Sequence, residues 1–539
     1  MNVTRRDFLQ AVATSSVAIG VGETGGKLIA ASPSSLLDAA RRKAAHRKRR
    51  IIYNNDGDDT WAKGADTVEK FLALRHAPLL GTQVDSIFYC TTQSFNLFTH
   101  ATKTAEVFLS REATFADNNL PKFLEQQTDG LRMSCEFAHR HGLESIWTLR
   151  MNDIHDAWTP QFVSQWKKDD SRRVMAALAD VSSFNDRRRL WSLVDFEHPD
   201  VEPRIVAIIE EVLRNYLVDG VELDFLRAPF YFRTTYEGQP ANHQQTGVLT
   251  RLVESVRKLV LTESERQGRP LLLSARVPVS KELCRYLGID IVHWLSHGLL
   301  DILAISGGYV AFDQPVRELI ELGHQHDVPV YPCLSHSGLV YRPPRGKGAA
   351  QSPAAWNGAA ARFWHGGADG IYCFNLFPAP GTPEQREHAL TVLKTIGSTE
   401  SIARAERMFA VCDAGWSMPA HFWAKDAEDF HQALPISLDG KSSIAVPLIV
   451  AVAGKDGQPL PPTELRLDFS GLADAEVPTV LLNSQRLEPL ADSELVADVR
   501  RFRYRVAEGK SRNGSNEIRI EQVSASTKLA GAELWIGPT

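Results

Sequence analysis

Only six cysteines occur in 539 residues (Cys90, Cys135, Cys284, Cys333, Cys373 and Cys412), and none forms a Cys-x-x-Cys pair. That spacing excludes a zinc ribbon, and cysteines this sparse in a chain this long read as buried free thiols rather than a disulfide framework. No run is long and apolar enough to span a membrane, so stable membrane insertion is not expected. There is no excess of one charge: the formal net charge is -5 and charged residues make up 23%. A nucleic-acid partner is therefore not expected. Gly-x-Ser-x-Gly elbows, P-loops, His-Glu-x-x-His and dinucleotide fingerprints at a strand–helix turn are also missing, which leaves little support for nucleophilic serine or nucleotide chemistry. No internal repeat or low-complexity segment is evident.

What is present is a full core's worth of apolar residue, 43%, with 11 tryptophans. Such aromatics suit sugar-binding clefts, although ordinary core burial explains most of them. The N-terminus, Thr4-Arg5-Arg6-Asp7-Phe8-Leu9-Gln10 followed by a small-residue stretch to Gly22, resembles a twin-arginine signal, with cleavage expected near Ala30-Ala31-Ser32. The resemblance implies export of a folded chain by the Tat translocase to the periplasm or beyond. The expected organisation is a signal peptide over 1–32, a basic linker or helix over 33–49, a barrel over 50–398 and an accessory β-sandwich over 399–539.

The barrel expectation comes from alternation of short apolar runs with helical patterns. The runs begin at Ile51, Ser86, Ser145, Gly220, Leu271, Ile302, Val328 and Ile371, and eight is the number that closes a (β/α)8 barrel. Between them, Thr246 would cap a helix carrying Val248 to Val260, and Ala354 to Trp364 forms another ahead of Gly366-Gly367. The long polar segments follow the second, third and fourth runs, so insertions gather on the face where barrel enzymes build their sites. After Ser398 short alternating runs take over, which predicts the antiparallel sandwich. Within it, Asn513-Gly514-Ser515-Asn516 looks like a turn found in jelly-roll carbohydrate-binding modules, although a purely structural turn fits as well.

The chemistry centres on Asp219-Gly220-Val221-Glu222-Leu223-Asp224-Phe225-Leu226-Arg227. Strand side chains alternate, so Glu222 and Asp224 share one face, roughly 6.5–7 Å apart along the strand. Asp224, nearer the mouth, is the candidate catalytic carboxylate. Glu222, deeper in the strand, is a further catalytic candidate or a structural or tuning partner, and repulsion between the two acids would raise the pKa of one of them. A buried ion pair of these acids with Arg150 or Arg276 is the structural alternative. The third strand ends in Arg150-Met151-Asn152-Asp153-Ile154-His155-Asp156, which offers Asp153 or Asp156 as the second acid. Arg150, Asn152 and His155 would hold substrate hydroxyls there, with His155 also a candidate proton carrier. Asp56, Arg227, Arg276, His336 and Asn375 complete the candidate substrate-binding set, with Gln93, Ser306 and Tyr309 as weaker mouth positions. No cofactor or metal is called for, and the Asn54–Asp59 acids do not match an EF-hand loop.

The Asp-Gly-hydrophobic-x-hydrophobic-Asp run before Arg227, with Asp290, His293-Trp294 and Gly298 to Leu303, resembles the family-ten-like glycosyl hydrolases. That resemblance covers about Arg50 to Ser398 and implies a TIM barrel acting on glycosides. The run is also similar to the acid motif of chitinase-type barrels, with Asp219, Glu222 and Asp224 at three acid positions, but Leu226 stands where those enzymes carry their glutamate acid. The leading expectation is an exported glycoside hydrolase acting on a poly- or oligosaccharide by carboxylate acid/base catalysis. A non-catalytic polysaccharide-binding barrel and a metal-dependent hydrolase or lyase on the same fold are the alternatives.

Overall fold

A computed structural model describes residues 33–177, 187–308, 312, 314–335, 352–411, 434–438, 441–452, 454–473, 476–490, 493–496, 499–521 and 526–538. The twin-arginine segment, Tyr309, His336 and Cys412 lie outside these residues. Eight parallel strands close a barrel: β1 (Ile51–Asn55), β2 (Val84–Cys90), β3 (Glu144–Arg150), β4 (Gly220–Asp224), β5 (Leu272–Pro278), β6 (Ile302–Ser306), β7 (Val330–Ser335) and β8 (Ile371–Phe374). Each of the eight expected runs forms one strand, in the order β1-β8-β7-β6-β5-β4-β3-β2, which makes the fold a (β/α)8 TIM barrel.

Alternation along each strand separates two cores. Val221 and Leu223 face the helical layer, whereas Ile52, Phe88, Ile146, Leu272, Ile302, Tyr331 and Tyr372 fill the barrel interior. Burying each such aliphatic side chain stabilises by roughly 1.5–3 kcal/mol. Glu222 and Asp224 take the interior positions of β4, as the strand period requires. Gly220 sits hard against β5: a Cβ there would lie 2.3 Å from the Leu272 carbonyl oxygen, so no larger residue can open this strand.

Of the two readings of the basic segment, linker or helix, the helix is the one that forms over its first part. Residues Pro33–Ala45 form a helix whose Arg41 pairs with Asp301. Arg49 plugs the barrel floor: its Nε and Nη2 donate to the two Glu144 oxygens, both at 2.7 Å. The helix expected from Thr246 starts earlier, at His243, because Asn242 caps it in a reciprocal capping box with Gln245. All five described cysteines are buried free thiols.

Two antiparallel sheets follow the barrel. One contains β9 (Arg407–Ala410), β11 (Thr463–Ser470), β14 (Glu494–Val496), β15 (Val499–Val506) and β17 (Lys528–Ile536); the other contains β10 (Ser443–Val450), β12 (Thr479–Leu482), β13 (Gln485–Leu487) and β16 (Gly514–Glu521). Strand β9 was not expected from the sequence. It packs on the helix Pro353–His365, where a Cβ on Gly358 would lie 1.9 Å from the Met408 carbonyl oxygen. The small-residue face of that helix is thus the contact that joins sandwich to barrel. Asn513 and Asn516 are 1% exposed and spend their amides on local backbone and on Asn483, so the turn resembling a carbohydrate-binding module is internal framework.

Candidate active site

The register of three neighbouring strands builds the site. Arg150, Asp224 and Arg276 are lateral partners across β3, β4 and β5, and one layer deeper Thr148, Glu222 and Ser274 are partners in the same way. Arg276 grips Asp224 with Nε at 3.0 Å and Nη2 at 2.6 Å. The Leu226 and Arg227 amides also donate to Asp224 Oδ1. Phe374 lies 4.4 Å from the Arg276 guanidinium, which steadies the cation. The buried ion pair weighed as the structural alternative therefore forms, at Asp224 itself.

From this pair a chain of polar contacts runs around the mouth. His155 accepts at Nε2 from Arg227 (2.8 Å), and its Nδ1 lies 2.6 Å from Asp153 Oδ1. Arginine can only donate, so Nε2 is the acceptor and Nδ1 carries the proton toward Asp153. Asp153 Oδ2 meets Arg150 Nη1 at 3.2 Å, and Arg150 Nη2 reaches Asp56 at 2.7 Å. Burial works to raise the Asp153 carboxyl, but His155, Arg150 and Arg227 outweigh it and hold it well below the usual carboxylate range. Asp56 is likewise lowered: Arg150, Arg227 and Arg75 overcome its burial. Both acids are held ionised.

Glu222 behaves oppositely. It is wholly buried, and burial together with the Asp224 charge pushes its pKa up to about 8. Its Oε1 accepts from Tyr372 (2.8 Å) and Thr148 (3.0 Å), whereas Oε2 is buried without a partner among the described residues.

The remaining expected residues divide sharply. Asp156 is sequestered: Lys167 Nζ holds it at 2.6 Å, and neither side chain is more than 1% exposed. Asn152 bridges the Val194 and Phe230 backbones and its amide is fully spent. These two residues tie the mouth loops together and are not open to a ligand. Asp58 and Asp59 are committed separately, to Arg75 and to Tyr89 with Asn55. The groups of the chain with solvent access are Asp56, His155 and Arg227, at 16%, 27% and 18% side-chain exposure. Trp158, 39% exposed, stands edge-on to His155 and was not singled out from the sequence.

The opposite arc carries Asp56 just beyond β1 and, among the described residues, several neutral groups without partners. At the ends of β1, β2, β7 and β8, Asn54 Oδ1, Gln93 Nε2, Ser335 Oγ and Asn375 Oδ1 are buried without hydrogen-bond partners among the described residues. Asn375 reaches its position with φ at 58°, a left-handed turn that asparagine tolerates. Among the described residues, no three His, Cys, Asp or Glu side chains converge as a metal site would need.

No protein-family model matches the chain. No curated protein matches it either. Similar solved structures are glycoside hydrolases and a glucanotransferase. An α-L-fucosidase isoenzyme from Paenibacillus thiaminolyticus is 14% identical over 68% of this chain and 52% of its own, with a TM-score of 0.43. A cycloisomaltooligosaccharide glucanotransferase from Paenibacillus sp. is 9% identical over 90% and 57%, with a TM-score of 0.33. A chitinase from Bacillus thuringiensis is 10% identical over 90% and 100%, with a TM-score of 0.37. The chain spans little more than half the length of the first two, and no residue role passes to it at these identities.

Proposed function

We propose that the chain is an exported glycoside hydrolase that opens an O-glycosyl bond of a poly- or oligosaccharide at the barrel mouth. The carrying observation is the mixed mouth: a chain of fixed charges running from the ends of β3 to β5 to Asp56 beyond β1 lies beside neutral donors and acceptors at the ends of β7, β8, β1 and β2 that have no partner among the described residues. Neutral hydroxyl-binding groups beside fixed carboxylates suit a sugar whose ring becomes positive as the bond breaks. The exposed Trp158 would stack on a sugar ring. The likeness of Asp219 to Arg227 to the family-ten-like glycosyl hydrolases supports the same reading.

Asp224 is then the fixed carboxylate facing the anomeric centre. Asp153 is held ionised and cannot donate a proton, so the donor role expected of Asp153 or Asp156 passes to His155. Its Nε2, once protonated and released from Arg227, donates to the leaving oxygen, and Asp153 steadies the imidazolium through Nδ1. A water oriented by Asp56 or Asp224 adds to the anomeric carbon, and its proton returns to His155 Nε2, which restores the acid for the next turnover. The twin-arginine segment supports export to the periplasm or beyond, and an Arg5→Lys, Arg6→Lys double variant retained in the cytoplasm would bear this out.

A specific observation favours a second reading, a polysaccharide-binding barrel without chemistry: Asp224 and Asp153 are each ion-paired and at most 2% exposed. Digestion of a glycan library with mass analysis of products separates the two. The hydrolase reading expects new reducing ends and a loss of about 100-fold or more in kcat for Asp224→Asn with the fold intact. Saturable binding with no product from any glycan, or full activity of Asp224→Asn, overturns it.

A further inference from the structure

Six arginines are buried among the described residues: Arg49, Arg75, Arg150, Arg257, Arg276 and Arg407. Five of them hold carboxylates, namely Glu144, Asp58, Asp56 with Asp153, Asp301 and Asp224 in turn. Arg407 is the exception. It opens β9, is 3% exposed, and gives one hydrogen bond, from Nη2 to the Gly537 carbonyl oxygen at 2.6 Å. Its Nε is buried without a partner, and no carboxylate among the described residues pairs with it. A buried cation without a counter-charge is costly, so such a group is seldom left alone unless something else answers it.

Arg407 lines a cleft of about 280 Å³ at the junction of the helix Pro353–His365 and the sandwich, together with Trp364, His365, Thr399, Val452 and Gly454. Asp456, the nearby acid, is engaged at the rim by His365 Nε2 at 2.9 Å. A neighbouring cleft of about 150 Å³ shares His365 and Ala451 and adds Arg317 and Arg362 to its walls. The two clefts lie at the junction of that helix with the sandwich and have room for a group the size of a monosaccharide or smaller.

We propose that this cleft binds a compact oxyanion, a carboxylate or sulfate group, with the Arg407 guanidinium as its counter-charge. The planar fork of arginine suits either group. The anion is either free or carried on an acidic sugar, and the assignment does not depend on the mouth being catalytic. Thermal unfolding of the full chain in sodium sulfate or sodium glucuronate, against sodium chloride at equal ionic strength, tests it. A saturable rise in Tm beyond the chloride control is expected, with a stronger response to glucuronate if the anion is carried on a sugar. Arg407→Met should abolish the rise and be at least as stable as the parent in anion-poor buffer. Arg407→Lys should keep a response weakened about tenfold, and Asp224→Asn should keep it in full. Equal rises in chloride, or a full response in Arg407→Met, overturn the proposal; should Arg407→Met not fold, the chloride comparison on the parent chain and Arg407→Lys decide it.

Discussion

Both ends of the barrel bury an arginine–carboxylate pair, and the two are finished differently. At the floor every atom is used. Arg49 holds both Glu144 oxygens and the Ala44 and Ala45 carbonyls, and Ser86 donates to Glu144 as well. At the mouth, Arg276 and Asp224 are as tightly paired, yet the network around them continues to partly exposed groups and leaves acceptors and donors unfilled. A closed set of hydrogen bonds serves the fold alone; an open one near solvent has capacity left for a ligand. The same chemistry, an ion pair inside a sheet, is therefore structural at one end and a candidate for function at the other.

The sharpest way to break the comparison is at the floor. Glu144→Leu leaves Arg49 charged and wholly buried, which should cost about 3–5 kcal/mol in urea unfolding. Arg49→Met with Glu144→Leu should recover most of that loss, because no buried charge then remains. Neither change should alter the kcat of the folded fraction. A change in kcat with unchanged stability would mean the floor is not separate from the site.

The next effect is a pH dependence at Glu222. Its folded pKa of about 8 lies above the ordinary 4.5, so the folded chain keeps a proton that the unfolded chain has released. Stability from this group is complete below about 4.5, falls as pH rises through that window, and levels off above about 8. Glu222→Gln cannot titrate and should flatten the decline by roughly 5 kcal/mol across the window. Equal slopes in the two proteins would place the Glu222 proton elsewhere.

The barrel was legible because its signals are local. Eight apolar runs separated by helical periodicity need no knowledge of partners, and the interior position of Glu222 and Asp224 follows from a period of two. The pairing of Asp224 with Arg276 depends on register between strands 52 residues apart, which no local pattern states. A signal was nonetheless present. Thr148-Leu149-Arg150, Glu222-Leu223-Asp224 and Ser274-Ala275-Arg276 repeat one polar-apolar-charged pattern at three neighbouring strands, so aligning them sets a carboxylate between two arginines. The fate of Asp156 was not legible, because Lys167 reaches it from another loop element. Strand β9 was missed because Arg407 to Ala410 is short and carries no alternation.

The smallest and most discriminating change is at His155. A glutamine side chain is neutral and able to accept from Arg227, so His155→Gln keeps the contact that orders the loop while removing the group that takes up and gives back a proton. His155→Asn instead keeps a donor toward Asp153. If His155 only orders the mouth, one of the two variants should retain activity and its pH profile should match the parent. If it carries the proton, both should lose about 10- to 100-fold in kcat, roughly 1.4–2.7 kcal/mol of barrel-mouth chemistry, and both should lose the same limb of the pH–rate profile while stability changes little. The floor offers no counterpart to this behaviour, since among the described residues the titratable third partner of Arg49 and Glu144 is Tyr331, which is buried.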